Sequence, residues 1–291
     1  MIRTTRLAVH DTATLQIQRV ARQLGTTETQ AMSGQKINAP SDDPGAISEI
    51  HRLHMSIEDQ GQYKENAQQA QDILSIMDGA LTSIGDLVVR TREIATAMAS
   101  ETITATERAA AAVEIQAIYD ELVALANTDI HGRYVFSGTA YDVPSFTAAG
   151  VYQGNNDTPA TRVSDSQWLQ TGLDGSQVFQ GTTDLFASLT NMIANLNANN
   201  VPGVQASITD MKDATRQINQ WHVFIGAETN AADDAINVTE GMSGLFSARL
   251  SSLISIDQTT TYVALSELRT TYESTLRVAS TVTQTNLFSL M

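Results

Sequence analysis

The sequence predicts a mainly α-helical fold with a small β-rich insertion, drawn out as an elongated antiparallel helical rod with coiled-coil-like terminal helices. Three observations lead there. Small and apolar residues recur at alternating three- and four-residue intervals from Ala13 to about Asp129, and again from Leu185 to Val282, the spacing that places them on one helix face. Between these stretches, short apolar runs are separated by Gly, Asn, Asp and Pro, the pattern of short strands and turns. Aromatic residues are only 5% of the chain while hydrophobic residues make up 42% of its 291 positions. That mixture provides a core, but one packed closely through small side chains.

Taken in order, Ala13, Ile17, Val20 and Leu24 describe an N-terminal helix, which Ala39-Pro40-Ser41-Asp42 breaks. A second helix starts at Pro44, whose missing N–H is harmless at the first helical position, with Asp43 as its N-cap. Its stripe runs through Tyr63, Ala67, Ala70, Leu74, Met77, Leu81, Ile84, Val88, Thr91, Ala95 and Met98, about ten turns at 3.6 residues each. Thr104 and Glu107 form a capping box for a third helix through Ala112, Ile115, Tyr119, Leu122 and Ala126. From Tyr134 to about residue 181 the runs Tyr134-Val135-Phe136, Val151-Tyr152-Gln153-Gly154, Thr161-Arg162-Val163, Trp168-Leu169 and Val178-Phe179 read as a β-rich insertion. Helix returns with Leu185, Leu189, Met192 and Leu196, pauses at 199–203, and resumes with Ile208, Met211, Thr215, Ile218, His222 and Ile225. Gly226, Gly241 and Gly244, each costing about 1 kcal/mol in a helix interior, place a bend or break near 226–244. A last break falls near Asp257, before Leu265, Leu268, Tyr272, Ala279 and Val282.

The formal charge of −15, with a pI near 4.6, argues against nucleic acid and membrane surfaces as partners, since non-specific attraction to both comes from Lys and Arg. The absence of Cys removes disulfides, thiolate catalysis and Cys-ligated zinc. Met1–Leu7 leads into no apolar h-region, and no run reaches the roughly 18 apolar residues of a spanning helix. Neither a cleaved signal peptide nor a transmembrane segment is expected, and export would need another route. There is no Gly-x-Ser-x-Gly elbow and no Walker-type loop, and Asp233-Asp234 point to different helix faces. His51, His54 and Glu58 share one helix face at a spacing that can serve a metal, but no clear fourth ligand accompanies them. No cofactor, metal or catalytic residue is assigned. Narrow stripes on two terminal helices need cover, and each Leu or Ile buried contributes roughly 1.5–3 kcal/mol, which assigns that cover to a neighbouring subunit.

Three stretches carry a family resemblance: Ser33 to Pro44 (SGQKINAPSDDP), with Asp42, Asp43 and Pro44 at its end; Asn127 with HGRYVFSG at 131–138, including Gly132, Tyr134, Phe136 and Gly138; and Ile225-Gly226-Ala227 with Asn230. On local grounds alone these are an N-cap, a strand and turn glycines. Together they resemble the flagellin superfamily, and the Pro-Ser-Asp-Asp-Pro form is similar to its hook-filament junction branch, the hook-associated protein 3 family. Only Asp257 stands where that family usually has an acidic cluster, and the chain ends Leu287-Phe288-Ser289-Leu290-Met291 where its members often carry an aromatic before a final Leu.

The resemblance implies a structural, non-enzymatic protein in three parts: a terminal helical assembly domain from 1–38 and 256–291, a helical middle domain from 39–140 and 182–255, and a β-rich outer domain at 141–181. It implies a homo-oligomeric ring layer joining hook to filament, with Ile17, Val20, Leu24, Leu265, Leu268, Tyr272, Ala279 and Val282 expected as assembly contacts. Implied partners are hook-associated protein 1, flagellin, the filament cap during growth and a flagellar export chaperone. Export through the flagellar type III apparatus places the protein outside the cell. The alternatives are a flagellin-type filament subunit and a glycan-binding or enzymatic role housed in the insertion.

Overall fold

The computed structural model describes the backbone of residues 2–288 and the side chains of residues 11–281. In chain order its elements are α1 (Ile2–Ser33), α2 (Pro44–Met98), α3 (Ala105–Ala126), β1 (Asp129–Ile130), β2 (Arg133–Tyr134), β3 (Ala160–Arg162), β4 (Trp168–Gln170), α4 (Gly175–Gln180), α5 (Leu185–Asn197), α6 (Val201–Ile254) and α7 (Gln258–Phe288). The fold is mainly α with a small strand-bearing insertion, as the periodicity predicts. Helix starts follow side-chain chemistry. Asp43 Oδ1 accepts from the N–H groups of Gly45 and Ala46 at 3.0 Å, capping α2, and Thr104 with Glu107 forms the capping box of α3. Asp257 Oδ1 accepts from Thr259 N and Thr260 N at the start of α7. Hydrogen bonds from the Thr260 hydroxyl and backbone hold the Asp257 carboxyl below its ordinary range.

The chain divides into two compact units, one of residues 1–58 and 243–291 and one of residues 59–242. The sequence reading places its boundaries near 38, 140, 181 and 255.

In the second unit the stripe of α2 is buried at every seam position from Ala67 to Ala95. It faces α6, which runs antiparallel to it: Lys64 pairs with Glu240, Gln71 with Asp233 and Asp78 with His222. The seam of α6 keeps the same spacing through Val204, Met211, Ile218, Ile225, Ala232, Ala235 and Thr239, all buried. The expected break near 226–244 is therefore corrected, because α6 is continuous. Gly226 and Gly241 lie off the seam, where the intrinsic cost of glycine is small against the burial of Ile225, Ala232 and Ala235. A Cβ at Gly226 would meet nothing within 4 Å. Gly226→Ala is accordingly expected to raise stability by up to about 1 kcal/mol. A higher urea midpoint at unchanged m would show it, and a lower midpoint would mean that the glycine conformation is needed.

The insertion holds less sheet than the runs suggest. Two antiparallel pairs, β1 with β2 and β3 with β4, have strands of two and three residues. Val178 and Phe179, read as a strand, lie in α4, where the Asp174 carboxylate accepts from Ser176 N and starts a helical turn. What holds the region is an aromatic cluster: Phe146 meets Tyr152, Phe179 and Phe186 at ring distances of 5.0–5.3 Å, and Phe136 meets Phe179 at 5.3 Å. Such contacts need rings turned inward rather than alternating across a sheet. The β1–β2 turn is His131-Gly132, both at positive φ (53° and 80°), the geometry that matches the twist of a two-residue hairpin.

Candidate assembly surface

In the first unit, Ala13, Ile17, Val20, Leu24, Thr27 and Ala31 on α1 form a heptad seam, as do Thr261, Leu265, Leu268, Tyr272, Thr275 and Ala279 on α7. These positions are half-buried or buried while their neighbours on each helix are mostly exposed. The two seams meet. Arg269 bridges to Glu28 at 3.0 Å, while Ala13, Gln16 and Val20 share a groove with Ser274, Val278 and Ala279, so the helices run antiparallel. Within the chain, then, the two stripes cover one another in part, where the sequence reading assigned their cover to a neighbouring subunit. Val20 and Leu265 are buried, while Ile17, Leu24, Leu268, Tyr272 and Ala279 stay partly open. The side chain of Val282 lies outside the described residues.

The SGQKINAPSDDP stretch links α1 to α2 and is stapled to the link between α6 and α7. Gly34, at φ 71°, ends α1 by donating to Gln30 O at 2.9 Å. Its carbonyl accepts from Ile256 N at 3.2 Å, while Lys36 N donates to Ile254 O at 2.7 Å. Asp42 Oδ2 accepts from both Asn38 N and Ala39 N at 2.9 Å, folding the link back before Asp43 caps the next helix. Beneath it Ile37, Ile50 and Leu250 form a small apolar cluster, flanked by the Arg249–Glu49 bridge at 2.8 Å.

Apolar side chains remain on the surface of the helix pair. Leu15 is 64% exposed and Met32 81% on α1, and on α7 Tyr262, Val263, Leu276 and Val278 are all exposed. At about 100° per residue, Tyr262 and Leu276 fall on one flank of the α7 seam and Val278 on the other, bordering the groove with Ala13 and Val20, whereas Val263 falls on the side away from α1. A helix apolar on its seam, both flanks and its back is built for more neighbours than one. Sequence reasoning missed these positions because it searched for one periodic stripe; apolar residues off the heptad seam were the available signal.

The remaining motif residues sit in the second unit. Phe136 is buried in the aromatic cluster, Tyr134 is half-buried, and Gly132 and Gly138 adopt positive φ. Gly226 and Asn230 lie outside the α6 seam, Asn230 exposed. His51, His54 and Glu58 are exposed on α2, and no group of three or more His, Cys, Asp or Glu poised for a metal occurs among the described residues. No helix among those residues is long and apolar enough to cross a membrane.

Residues 6–141 match the bacterial flagellin N-terminal helical region. Flagellar hook-associated protein 3 of Salmonella typhimurium is 29% identical over 156 residues, which cover 53% of this chain and 49% of that protein. A flagellin of Bacillus subtilis is 26% identical over 219 residues, 70% of this chain and 71% of its own length. Among solved structures, flagellar hook-associated protein 3 of Legionella pneumophila superposes with a TM-score of 0.63 at 18% identity, covering 71% of this chain and 98% of that one. This last likeness is one of fold. The chain spans about half the length of the Salmonella relative. In its motifs, its sequence and its fold, this chain resembles flagellar hook-associated protein 3 of the flagellin superfamily.

Proposed function

We propose that this chain is a structural junction subunit of the bacterial flagellum that joins hook to filament and polymerises through its terminal helices. The observation that carries the reading is the α1/α7 pair: its mutual seam is only partly closed, and Tyr262, Val263, Leu276 and Val278 leave further apolar tracks uncovered. Each such side chain covered by a neighbour contributes roughly 1.5–3 kcal/mol, so a ring in which every copy is flanked by others gains cohesion at each contact. The groove beside Ala13, Ser274 and Ala279, about 530 Å³ in volume, has walls of small side chains that admit close approach. The partners of this reading are further copies of the chain, hook-associated protein 1, flagellin, the filament cap during growth and an export chaperone. Its place is the extracellular flagellum, reached through the flagellar type III apparatus, and its work is mechanical rather than enzymatic.

The test is complementation of a deletion strain. Without the chain, flagellin is expected in the medium and filaments absent, and the wild-type gene restores attachment. The double variant Val263→Asp/Val278→Asp, at two exposed positions of α7, should be secreted with the second unit folded yet leave filaments unattached. Leu268→Asp should do the same by opening the α1/α7 seam. Normal filaments from both variants would overturn the reading. The flagellin match over 70% of the chain favours a filament subunit as the second reading; antibody label along the whole filament, instead of at the distal end of the hook, would select it.

A further inference from the structure

We propose that a cleft in the second unit, between α2 and the β1–β2 hairpin, binds a carboxylated sugar. The cleft is about 430 Å³, within the range of roughly 300–1,000 Å³ typical of small-molecule sites. One wall is α2, with Gln69 and Asp72; the other is the hairpin, with Arg133 and Tyr134, and Tyr141 beside it. The proposal stands apart from the junction reading, since none of these residues belongs to the terminal helices.

Charge and shape narrow the ligand. The Arg133 guanidinium lies over the Tyr141 ring, 4.0 Å from its centroid. That stacking sets the plane of the fork and leaves its edge N–H groups for a bidentate acceptor. Among the described residues the Arg133 side chain has no ion pair or hydrogen bond, and neither does the side chain of Gln69 or Asp72. The hairpin that carries Arg133 is held by its tight turn, where Asp129 Oδ2 accepts from Gly132 N at 2.9 Å. A simple anion drawn to Arg133 meets Asp72 across the cleft, and a simple cation drawn to Asp72 meets Arg133. A neutral sugar leaves the guanidinium unmatched. A uronic acid satisfies the set: its carboxylate takes the Arg133 fork, its hydroxyls donate to Asp72 and Gln69, and the apolar face of its ring lies against a tyrosine.

The experiment titrates the full-length chain with D-glucuronic acid, D-glucose, acetate and glycine, followed by isothermal calorimetry and saturation-transfer NMR. Saturable binding of glucuronate is expected, with glucose and acetate each at least tenfold weaker. Arg133→Met keeps an apolar stem over Tyr141 and should weaken glucuronate tenfold or more while leaving the melting temperature unchanged, because the residue is exposed. Arg133→Lys keeps the charge without the fork and should lose most of the affinity as well. Asp72→Ala should weaken glucuronate without affecting acetate. Absence of saturable glucuronate binding, equal binding of acetate, or tighter binding of glycine would each overturn the proposal.

Discussion

Arg108→Ala is expected to destabilise the second unit by about 3–5 kcal/mol, the range for breaking a buried charged network by removing one member. Arg108 is 2% exposed. Its Nε donates to Met98 O at 3.0 Å and its terminal nitrogens to Ser100 O at 2.6 Å and to Asn199 Oδ1. One side chain thereby ties the end of α2, the start of α3 and the turn between α5 and α6. Its charge faces the carbonyl end of α2, where the helix dipole is negative, and it makes no ion pair with a carboxylate among the described residues. Truncation takes the donor from three partly buried acceptors, on the half-buried Met98 and the exposed Ser100 and Asn199, and leaves a cavity where the buried side chain was. For a unit of this size the loss corresponds to a fall in Tm of roughly 8–15 °C. Lys212→Ala, at an exposed position on α6, should stay within about 0.5 kcal/mol. Arg108→Lys should recover only part of the loss, since one ammonium cannot span acceptors arranged for a planar fork. Equal melting curves for Arg108→Ala and Lys212→Ala would refute this account of the network.

Gly138→Ala should be nearly as damaging, at about 3 kcal/mol or more. Gly138 holds φ 68°, and a Cβ there would press on Asn155 Oδ1 and the Asn155 carbonyl and lie 2.7 Å from Asp157 O. Backbone cannot yield as a flexible side chain can. Asn155 is already engaged, accepting from Thr139 N at 2.8 Å and donating to Thr139 Oγ1 at 2.7 Å, so moving it breaks both bonds. Gly132→Ala separates the two causes. Gly132 also has positive φ, 80°, but a Cβ there would meet nothing within 4 Å. Only the left-handed penalty of roughly 1–2 kcal/mol then applies. Chemical denaturation of the two variants checks the difference, and equal losses would show that close packing at Gly138 adds nothing.

Together the pair explains part of the motif at 131–138. Gly132 serves the hairpin turn and Gly138 a close approach of two backbones, while Phe136 between them anchors the aromatic cluster that replaces an extended sheet. The motif at 33–44 has an equally local physics: a glycine ending one helix, Asp42 gathering two N–H groups, and Asp43 with Pro44 beginning the next. For the third motif, the structure offers no contact that requires Gly226 or Asn230.

Read alone, the sequence determined the helices, their caps and the face each one buries. The α2 stripe from Ala67 to Ala95 is written in three-four spacing, and the cap residues Asp43 and Thr104 act within four residues of themselves. Such interactions are local or periodic, so a linear string carries them. What covers each face was decided only by tertiary structure. Ile17, Val20 and Leu24 carry the same periodicity whether a neighbouring subunit or α7 lies against them, and nothing in the chain order says that the partner starts more than 220 residues away. The continuity of α6 through its glycines and the helical turn at Val178-Phe179 were likewise settled by long-range burial, which outweighed local preferences of about 1 kcal/mol per residue. The cleft at Arg133 belongs to the same class. Its walls come from residues 69–72 and 130–141, and only the folding of the hairpin against α2 makes them one site.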